Sequence, residues 1–356
     1  MHLFSPLKIR DIQFKNRIVV SPMCQYSCED GMATDWHLVH LGSRAVGGAA
    51  LVVVEATGVT HEGRISPGDM GLWRDEQIEP LARIVRFVKS QGAVAGIQLA
   101  HAGRKSSTDA PWRGGKSLTP AQGGWTPIYA PSAVAFNPES QVPAALDKQG
   151  IERIVKAFAD SARRALEAGF EVIELHGAHG YLLNTFLSPL SNRRSDEYGG
   201  SLENRTRLAR ELVAAIRNIW PERLPLFMRI SASDWADGGW TVEDSISLAR
   251  MVKPLGVDLL DCSSGGLVPY AKIPLGAGYQ VPFASAVRRE AEIATAAVGM
   301  ITEAMQADQI IRNGDADLIV MAREFLRDPY WALHAAPAVH QEIAWPPQYQ
   351  RAKPTR

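Results

Sequence analysis

The chain is poor in cysteine, with only Cys24, Cys28 and Cys262 among its 356 residues. Three scattered thiols cannot build a disulfide framework, and they are one short of the four thiolates that hold an iron–sulfur cluster. The scarcity therefore excludes a disulfide-stabilised extracellular scaffold and an iron–sulfur reductase. It favours a protein of a reducing compartment, and we expect a cytoplasmic location.

Long apolar runs and an excess of charge are also lacking. No segment approaches the ~20 apolar residues that span a bilayer, and the first ten residues lack the apolar core of a secretory signal. The 38 basic residues balance the 38 acidic ones, so no overall field attracts nucleic acid or anionic lipid. We expect neither nucleic acid nor a membrane as partner, which leaves small molecules and copies of the chain.

What the sequence does contain is a regular alternation of short apolar segments with longer amphipathic ones. Such alternation predicts parallel strands covered by helices. The segments with the length and composition of buried strands are residues 17–21, 51–56, 94–99, 171–175, 225–230, 258–262, 294–298 and 317–321. Eight strands favour a (β/α)8 barrel, formed as one domain by residues 1–356, over a doubly wound sheet.

Residues that cap helices mark several boundaries between these segments. Gly169 follows an apolar stripe that begins at Ile151, where a left-handed C-terminal cap is expected. Ser201 is placed to begin the helix that Pro221 ends, and Thr241 is placed to begin the next one.

Three segments lie outside the repeat. The residues before the first strand are expected to close the bottom of the barrel. Residues 101–146 are too long for a simple connection, and their tryptophans, glycine pairs and prolines predict an ordered lid over the barrel mouth. Residues 341–356 form a tail whose aromatic and proline residues indicate docking, which we expect at a subunit interface.

Polar residues follow the predicted strands at the end where barrel enzymes bind their substrates. The most concentrated group is His176, His179 and Tyr181, directly after the fourth strand. Further residues come from the other strands: Pro22, Met23, Cys24, Gln25, Tyr26, Ala56, Thr57, Gln98, His101, Arg104, Lys105, Arg229, Ser263 to Gly266, Gly299 and Arg323. We therefore expect one active site at the C-terminal rim.

The residue types at this rim narrow the chemistry. There is neither a pair of carboxylic acids for glycoside hydrolysis nor a Ser-His-Asp arrangement for acyl transfer. Gly299 and Arg323 follow the last two strands, where barrels usually bind phosphate. Gln98 offers both a donor and an acceptor, and Arg229 can face an electron-rich edge, so a flavin suits the set better than a sugar.

Three motifs resemble the Old Yellow Enzyme family of FMN-dependent ene-reductases. HGAHGYLLNTFLSPLSNRRSDEYGGSLENR (176–205) is similar to its most diagnostic segment, while SPMCQYS (21–27) and AHAGRK (100–105) resemble its bacterial branch with a cysteine beside the flavin. The similarity continues from FSPLKIRDIQFKNRI near the start to PPQYQR near the end. It covers almost the whole chain.

The resemblance implies a set of cofactor contacts. Arg323 and nearby backbone amides would bind the FMN phosphate, and Gln98 and Arg229 would contact the ring edge. Ala322 stands where relatives often have glycine, which keeps the N–H group but removes conformational freedom. The full implied FMN set is Pro22, Met23, Cys24, Ala56, Gln98, Arg229, Gly299, Ala322 and Arg323.

It also implies catalytic roles. His176 and His179 would bind the carbonyl oxygen of an α,β-unsaturated substrate, with Tyr26 as a further donor, and Tyr181 would donate the proton. Cys24 would tune the flavin potential. NADPH or NADH would reduce the flavin in a ping-pong cycle, and Arg351 would reach the active site of the neighbouring subunit in a homodimer or a dimer of dimers.

Other interpretations remain open from the sequence. Cys24, Cys28, His37 and His40 have residue types that could bind zinc, although the Cys24 loop leaves a strand end and the histidines fall at i and i+3 on a predicted helix rather than in a loop knuckle. The pair His176 and His179 could serve a metal-dependent barrel hydrolase or lyase. A flavin-binding protein without turnover is the third alternative.

Overall fold

The computed structural model describes residues 1–354, and its centre is a closed barrel of eight parallel strands. Each strand pairs with the next along the chain, and the last pairs with the first. The (β/α)8 prediction is therefore confirmed. The strands are β1 Ile18–Val20, β2 Leu51–Gly58, β3 Val94–Ala100, β4 Val172–Gly177, β5 Leu226–Ser231, β6 Leu259–Ser263, β7 Ala294–Ala297 and β8 Leu318–Met321.

Helices cover the outside of the barrel, and each of the first seven has an apolar face of buried residues. Because the strands are buried on both sides, they are continuous apolar runs rather than alternating ones, as in β2, where all eight residues are buried. The principal helices are α1 Asp35–Val46, α2 Ile78–Ser90, α3 Lys148–Glu167, α4 Arg207–Arg217, α5 Val242–Val252, α6 Val281–Ala291, α7 Ala304–Asn313 and α8 Trp331–Ala338.

Most helix boundaries follow the capping residues. Gly169 adopts φ +88° after α3, and the Thr241 side chain accepts the Asp244 N–H group at the start of α5. Ser201 caps a helix as predicted, but that helix is the short Leu202–Arg205 segment. The stripe assigned to a single helix is therefore divided, and α4 begins separately at Arg207.

An N-terminal hairpin, Leu7–Ile9 with Ile12–Phe14, covers the bottom of the barrel. Phe14 is fully buried and packs with residues that begin the strands, including Leu51 and Leu259. The Arg10 Nε–H group donates to both oxygens of Asp258, at 2.7 and 2.8 Å, and ties the hairpin to the start of β6. The hairpin occupies the position expected for the N-terminal segment.

Residues 101–146 contain three single-turn 3-10 helices and a two-stranded sheet of Tyr129–Ala130 with Ala144–Ala145. The Trp125 indole N–H donates to the Glu62 carbonyl at 3.0 Å, and the Trp112 ring meets Tyr26 edge-on at 5.4 Å. The segment is thus ordered and lies beside the loop that follows β1.

The C-terminal tail turns through a 3-10 helix, Pro347–Ala352, after α8. The ring of Tyr349 lies 5.8 Å from that of Tyr330, and Arg351 is exposed. The last two residues of the predicted tail lie outside the described residues. Within residues 1–354, no helix combines the length and apolar character needed to cross a bilayer.

Removal of the Phe14 ring tests whether the hairpin closes the barrel. We expect Phe14→Ala to destabilise the fold by about 3–5 kcal/mol, because it leaves a cavity among the strand starts. Phe87→Ala is the matched control, since Phe87 on α2 is 39% exposed. Thermal unfolding followed by circular dichroism should show a much larger fall in melting temperature for Phe14→Ala. Equal shifts would contradict the closing role.

Candidate active site

Strand β4 and the turn after it carry the central group of side chains. His176 lies within β4 and is buried, whereas His179 and Tyr181 follow on the turn. His179 has φ +62°, a left-handed conformation that costs energy in a non-glycine residue. Gly180 is also left-handed, and a Cβ there would collide with the Gly266 carbonyl. The turn is therefore shaped by close contact with the loop after β6.

The three rings form one cluster. The His176 ring lies 5.0 Å from the Tyr181 ring and 5.3 Å from the His179 ring, and both contacts are edge-on. The structure thus brings together the histidine pair and the tyrosine that the sequence grouped.

Hydrogen bonds to backbone and serine groups indicate which ring nitrogens face the site. His176 Nδ1 accepts the Ala178 N–H group at 3.3 Å, so the proton lies on Nε2, which can donate to a ligand. His179 Nε2 lies 2.7 Å from Ser263 Oγ. If the serine hydroxyl donates to Nε2, then Nδ1 of His179 carries the proton and becomes the second donor. The sequence places Ser263 at the rim after the sixth strand but indicates no role for it, because a serine after a strand has no distinguishing pattern.

Burial sets the protonation of the cluster. Desolvation, with smaller effects from Arg229 and Lys105, lowers the pKa of His176 to about 3. Desolvation also lowers the pKa of His179 well below its ordinary value and raises the pKa of Tyr181 well above 10. At neutral pH the imidazoles are therefore uncharged hydrogen-bond donors, and the phenol keeps its proton.

The loop after β1 supplies Pro22, Met23, Cys24 and Tyr26, all of them half-buried. Tyr26 has φ +52°, a left-handed conformation, and its ring contacts Trp112. Burial, then the nearby carboxylates of Asp69 and Glu55, raises the pKa of the Cys24 thiol. Cys24 is therefore a neutral thiol rather than a thiolate.

The side chains expected at the flavin edge lie on β3 and β5, the two strands that flank β4. Gln98 on β3 pairs with Glu174 on β4, and Gln98 Nε2 donates to the Glu174 carboxyl at 2.8 Å. Arg229 on β5 pairs with Asp261 on β6, with 3.4 Å between Nη1 and Oδ2. The pair of acids was missed from the sequence, where each is a single polar residue within an apolar strand.

These residues fit the flavin edge that the sequence predicted. Arg229 Nε is buried without a hydrogen-bond partner, so the site contains a donor that still needs an acceptor. Because the Gln98 amide nitrogen is engaged by Glu174, its amide oxygen is the atom left to accept from a ligand. Ala56 lies beside Gln98 in the pairing of β2 with β3. The set thus supplies an acceptor on β3 and a donor on β5, as a ring with both on its edge requires.

The candidate phosphate residues lie after the two adjacent strands β7 and β8. Gly299 has φ +113°, and a Cβ there would meet Gln280 Nε2 at 2.6 Å, so a larger residue would disturb this turn. Ala322 precedes the short helix Arg323–Arg327, and Arg323 is exposed. Arg351, in the tail, is not brought to the histidine cluster of its own chain.

A cavity of about 900 Å³ opens over Tyr26 and Tyr181. Phe136 from the segment 101–146 lines it together with Arg104 and Lys105. The Lys105 ammonium donates to the carbonyls of His179 and Gly266, and burial, followed by the charge of Arg104, lowers its pKa to about 7. Lys105 therefore ties the turn after β4 to the loop after β6.

The zinc interpretation fails because its four residues do not converge. In the part of the chain that the structure describes, the one group of three potential ligands is Cys28, His37 and Glu55, with ligand atoms within 4.8 Å of one another. Thr34 donates its N–H group to His37 Nδ1 at 3.0 Å, so the proton lies on Nε2, the nitrogen that faces Glu55. A metal would need that nitrogen unprotonated.

Comparisons with known proteins identify the family of the chain. The model of the NADH:flavin oxidoreductase / NADH oxidase family matches residues 2–342. The chain is 52% identical to an NADPH dehydrogenase of Geobacillus sp. (strain WCH70) over 98% of both chains. Its fold is similar to morphinone reductase, with a TM-score of 0.80 and 24% identity over 98% of this chain and 92% of that one.

A structure of 2-naphthoyl-CoA reductase in complex with 2-naphthoyl-CoA gives a TM-score of 0.85 at 25% identity. The match covers 96% of this chain but 52% of that chain, so this chain corresponds to about half of that protein. The family model covers nearly the whole chain, and the barrel and the flavin-edge residues are consistent with that match. The chain belongs to the NADH:flavin oxidoreductase / NADH oxidase family, the FMN-dependent Old Yellow Enzyme family.

Proposed function

We propose that the protein is an NADPH dehydrogenase that reduces activated C=C bonds of α,β-unsaturated carbonyl and nitro compounds. The observation that carries the proposal is the cluster of His176, His179 and Tyr181, whose burial keeps two neutral imidazole donors beside a protonated phenol. We infer that NADPH rather than NADH is the reductant, because the 52% identical relative is named an NADPH dehydrogenase.

Gln98, Arg229 and Arg323 would hold FMN, which would supply a hydride carrier between NADPH and the substrate in two half-reactions. His176 Nε2–H and His179 Nδ1–H would donate to the substrate oxygen, with Tyr26 as a third donor. These donors stabilise the negative charge that grows on the oxygen as hydride arrives at Cβ, and each one is worth about two or three orders of magnitude in rate. Neutral imidazoles suit this role because they donate without titrating near pH 7.

Tyr181 would donate the proton to Cα after hydride transfer. Its raised pKa keeps the phenol protonated, and its ring packs on His176, which fixes its position relative to the substrate oxygen. Residues 101–146 would act as the lid, because Phe136 and its neighbours line the cavity above Tyr181 and limit access of water. Cys24, as a neutral thiol, would tune the flavin potential.

Arg351 would act on a second subunit. The tail packs beside α8 of its own chain through Tyr330 and Tyr349, while Arg351 stays exposed. An exposed arginine on an ordered tail is available to a neighbouring copy, and the arrangement supports a homodimer, or a dimer of dimers, in which each tail completes the partner's substrate site.

Anaerobic stopped-flow measurements on the FMN-loaded protein test the proposed reaction and the role of Tyr181. NADPH should bleach the flavin absorbance, and cyclohexenone should restore it. We expect Tyr181→Phe to leave bleaching unchanged and to slow the recovery by about a hundredfold or more, because the general acid is lost.

Tyr198→Phe is the matched control, since this tyrosine donates to Glu211 on α4 rather than to the site. If cyclohexenone failed to restore the colour of the wild-type protein, a flavin protein without ene-reduction would be indicated. Equal slowing of both half-reactions by Tyr181→Phe would rule out the proton-donor assignment.

Replacement of Ser263 tests whether it sets the tautomer of His179. We expect Ser263→Ala to slow flavin reoxidation by cyclohexenone by about tenfold, a fraction of the loss of a whole donor, because His179 can then place its proton on either nitrogen. Ser264→Ala is the control, since Ser264 Oγ donates to Gln280 at 2.6 Å. Similar effects of the two substitutions would argue against the tautomer role.

Mixed dimers test whether Arg351 acts on the partner. Arg351→Ala and Tyr181→Phe should each impair turnover with cyclohexenone. In a dimer with one subunit of each variant, the intact Tyr181 site would receive Arg351 from the other subunit. We therefore expect activity to recover when the two variants are unfolded, mixed and refolded together. An additive mixture, or a monomer in light-scattering measurements, would contradict the proposal.

A further inference from the structure

Glu55 links strand β2 to the loop that carries Cys24 and Tyr26. The pairing of β2 with β3 passes from Val54 opposite Ile97 to Ala56 opposite Gln98, so Glu55 is the extra residue of a β-bulge. A bulge redirects one side chain out of the regular alternation. Here the bulge directs the Glu55 carboxylate toward the Cys24 loop and α1. The residue is only 3% exposed to solvent.

Two N–H groups from different elements converge on this carboxylate. The backbone N–H of Gln25, between Cys24 and Tyr26, donates to Glu55 Oε2. His37 on α1 donates its Nε2–H to Glu55 Oε1 at 3.2 Å, and the Thr34 N–H bond to Nδ1 requires that proton position. Glu55 is thus satisfied only while the loop and α1 keep their present places.

The Gln25 side chain fixes the loop further through two hydrogen bonds. Its side-chain amide donates to the Met23 carbonyl at 2.7 Å and accepts the Trp36 indole N–H at 3.0 Å. Because a buried carboxylate that loses a donor bears a large desolvation cost, the Gln25 bond resists any shift of the loop backbone. Tyr26, on one side of Gln25, lines the cavity over Tyr181, and Cys24, on the other side, belongs to the implied FMN set.

We propose that Glu55, held by His37, is a positioning residue that sets where Cys24 and Tyr26 stand at the active site. The substrate-binding part of this inference rests on the proposed function, because it uses Tyr26 as a donor. The part that concerns the Cys24 thiol does not, so alkylation of Cys24 tests positioning even if the protein reduces no enone.

Asp69 offers a control that separates position from charge. Asp69 is also buried, and it raises the pKa of Cys24 more than Glu55 does. Its carboxylate, however, accepts the N–H groups of Ile65 and Ser66 in its own turn, at 2.7 and 3.2 Å. Asn at 69 can keep both bonds, whereas Gln at 55 must turn its NH2 group toward one of two donors.

The experiment compares Glu55→Gln, Asp69→Asn and the unsubstituted protein, each full-length and loaded with FMN. The rate of Cys24 alkylation by iodoacetamide is measured by peptide mass spectrometry at pH 9, where Asp69, whose pKa burial raises to about 8, carries its charge. The flavin midpoint potential and the KM and kcat for cyclohexenone are measured on the same preparations.

We expect Glu55→Gln to change Cys24 alkylation by about tenfold, with a displaced midpoint potential and a KM that rises more than kcat falls. Asp69→Asn should change all of these less. If charge alone mattered, Asp69→Asn would have the larger effect on alkylation, and that result would overturn the proposal. So would wild-type values for Glu55→Gln.

His37→Gln provides a second test in case Glu55→Gln does not fold. Gln at this position can still accept the Thr34 N–H group as a capping-box residue, so α1 keeps its start, but the imidazole Nε2–H that donates to Glu55 is replaced by an amide NH2 on a flexible side chain. We expect Cys24 alkylation and the midpoint potential to change in the same direction as in Glu55→Gln, but by a smaller amount. No change in either quantity would contradict the proposal.

Discussion

Closure of eight parallel strands into a barrel brings the ends of all the strands to one rim, and the active site depends on that constraint. Residues as distant in sequence as Gln98, Arg229 and Tyr181 are brought to the same end of the barrel because β3, β5 and the turn after β4 belong to one closed parallel sheet. The opposite end needs an equally specific closure, which Phe14 provides among the strand starts. The barrel is therefore closed by apolar packing at the N-terminal ends of the strands, and the candidate site lies at their C-terminal ends.

Burial at the rim determines the charges of the site. Desolvation is the largest cause of the pKa shifts of His176, Tyr181, Cys24 and Lys105. It lowers the pKa of cationic groups and raises that of acidic ones, so His176, Tyr181 and Cys24 are uncharged at neutral pH. A set of neutral donors is suited to stabilise charge that develops on a substrate oxygen, because the donors are already aligned and lose no proton before the reaction.

Much of the fold was predictable because a parallel barrel produces a regular alternation of apolar strands and amphipathic helices in the sequence. Buried strands are continuous apolar runs, and Gly169 and Thr241 mark helix ends by local backbone geometry, so each signal lies within a few residues. The helix after Ser201 was less well predicted, since a periodic stripe does not show where a helix is interrupted. The group of His176, His179 and Tyr181 was found from its position after a strand and its similarity to a known motif.

The sequence by itself determined the barrel, the family and the residues at the rim, because each depends on local pattern or on motifs. Only the tertiary structure decided which atoms of these residues form hydrogen bonds with one another. The tautomer of His176 depends on a backbone N–H group, and the partner of His179 is Ser263, 84 positions away. Glu55 gained a role because a bulge turned it toward Gln25 and His37. Such contacts join residues far apart in the chain, and their geometry arises only when the barrel closes.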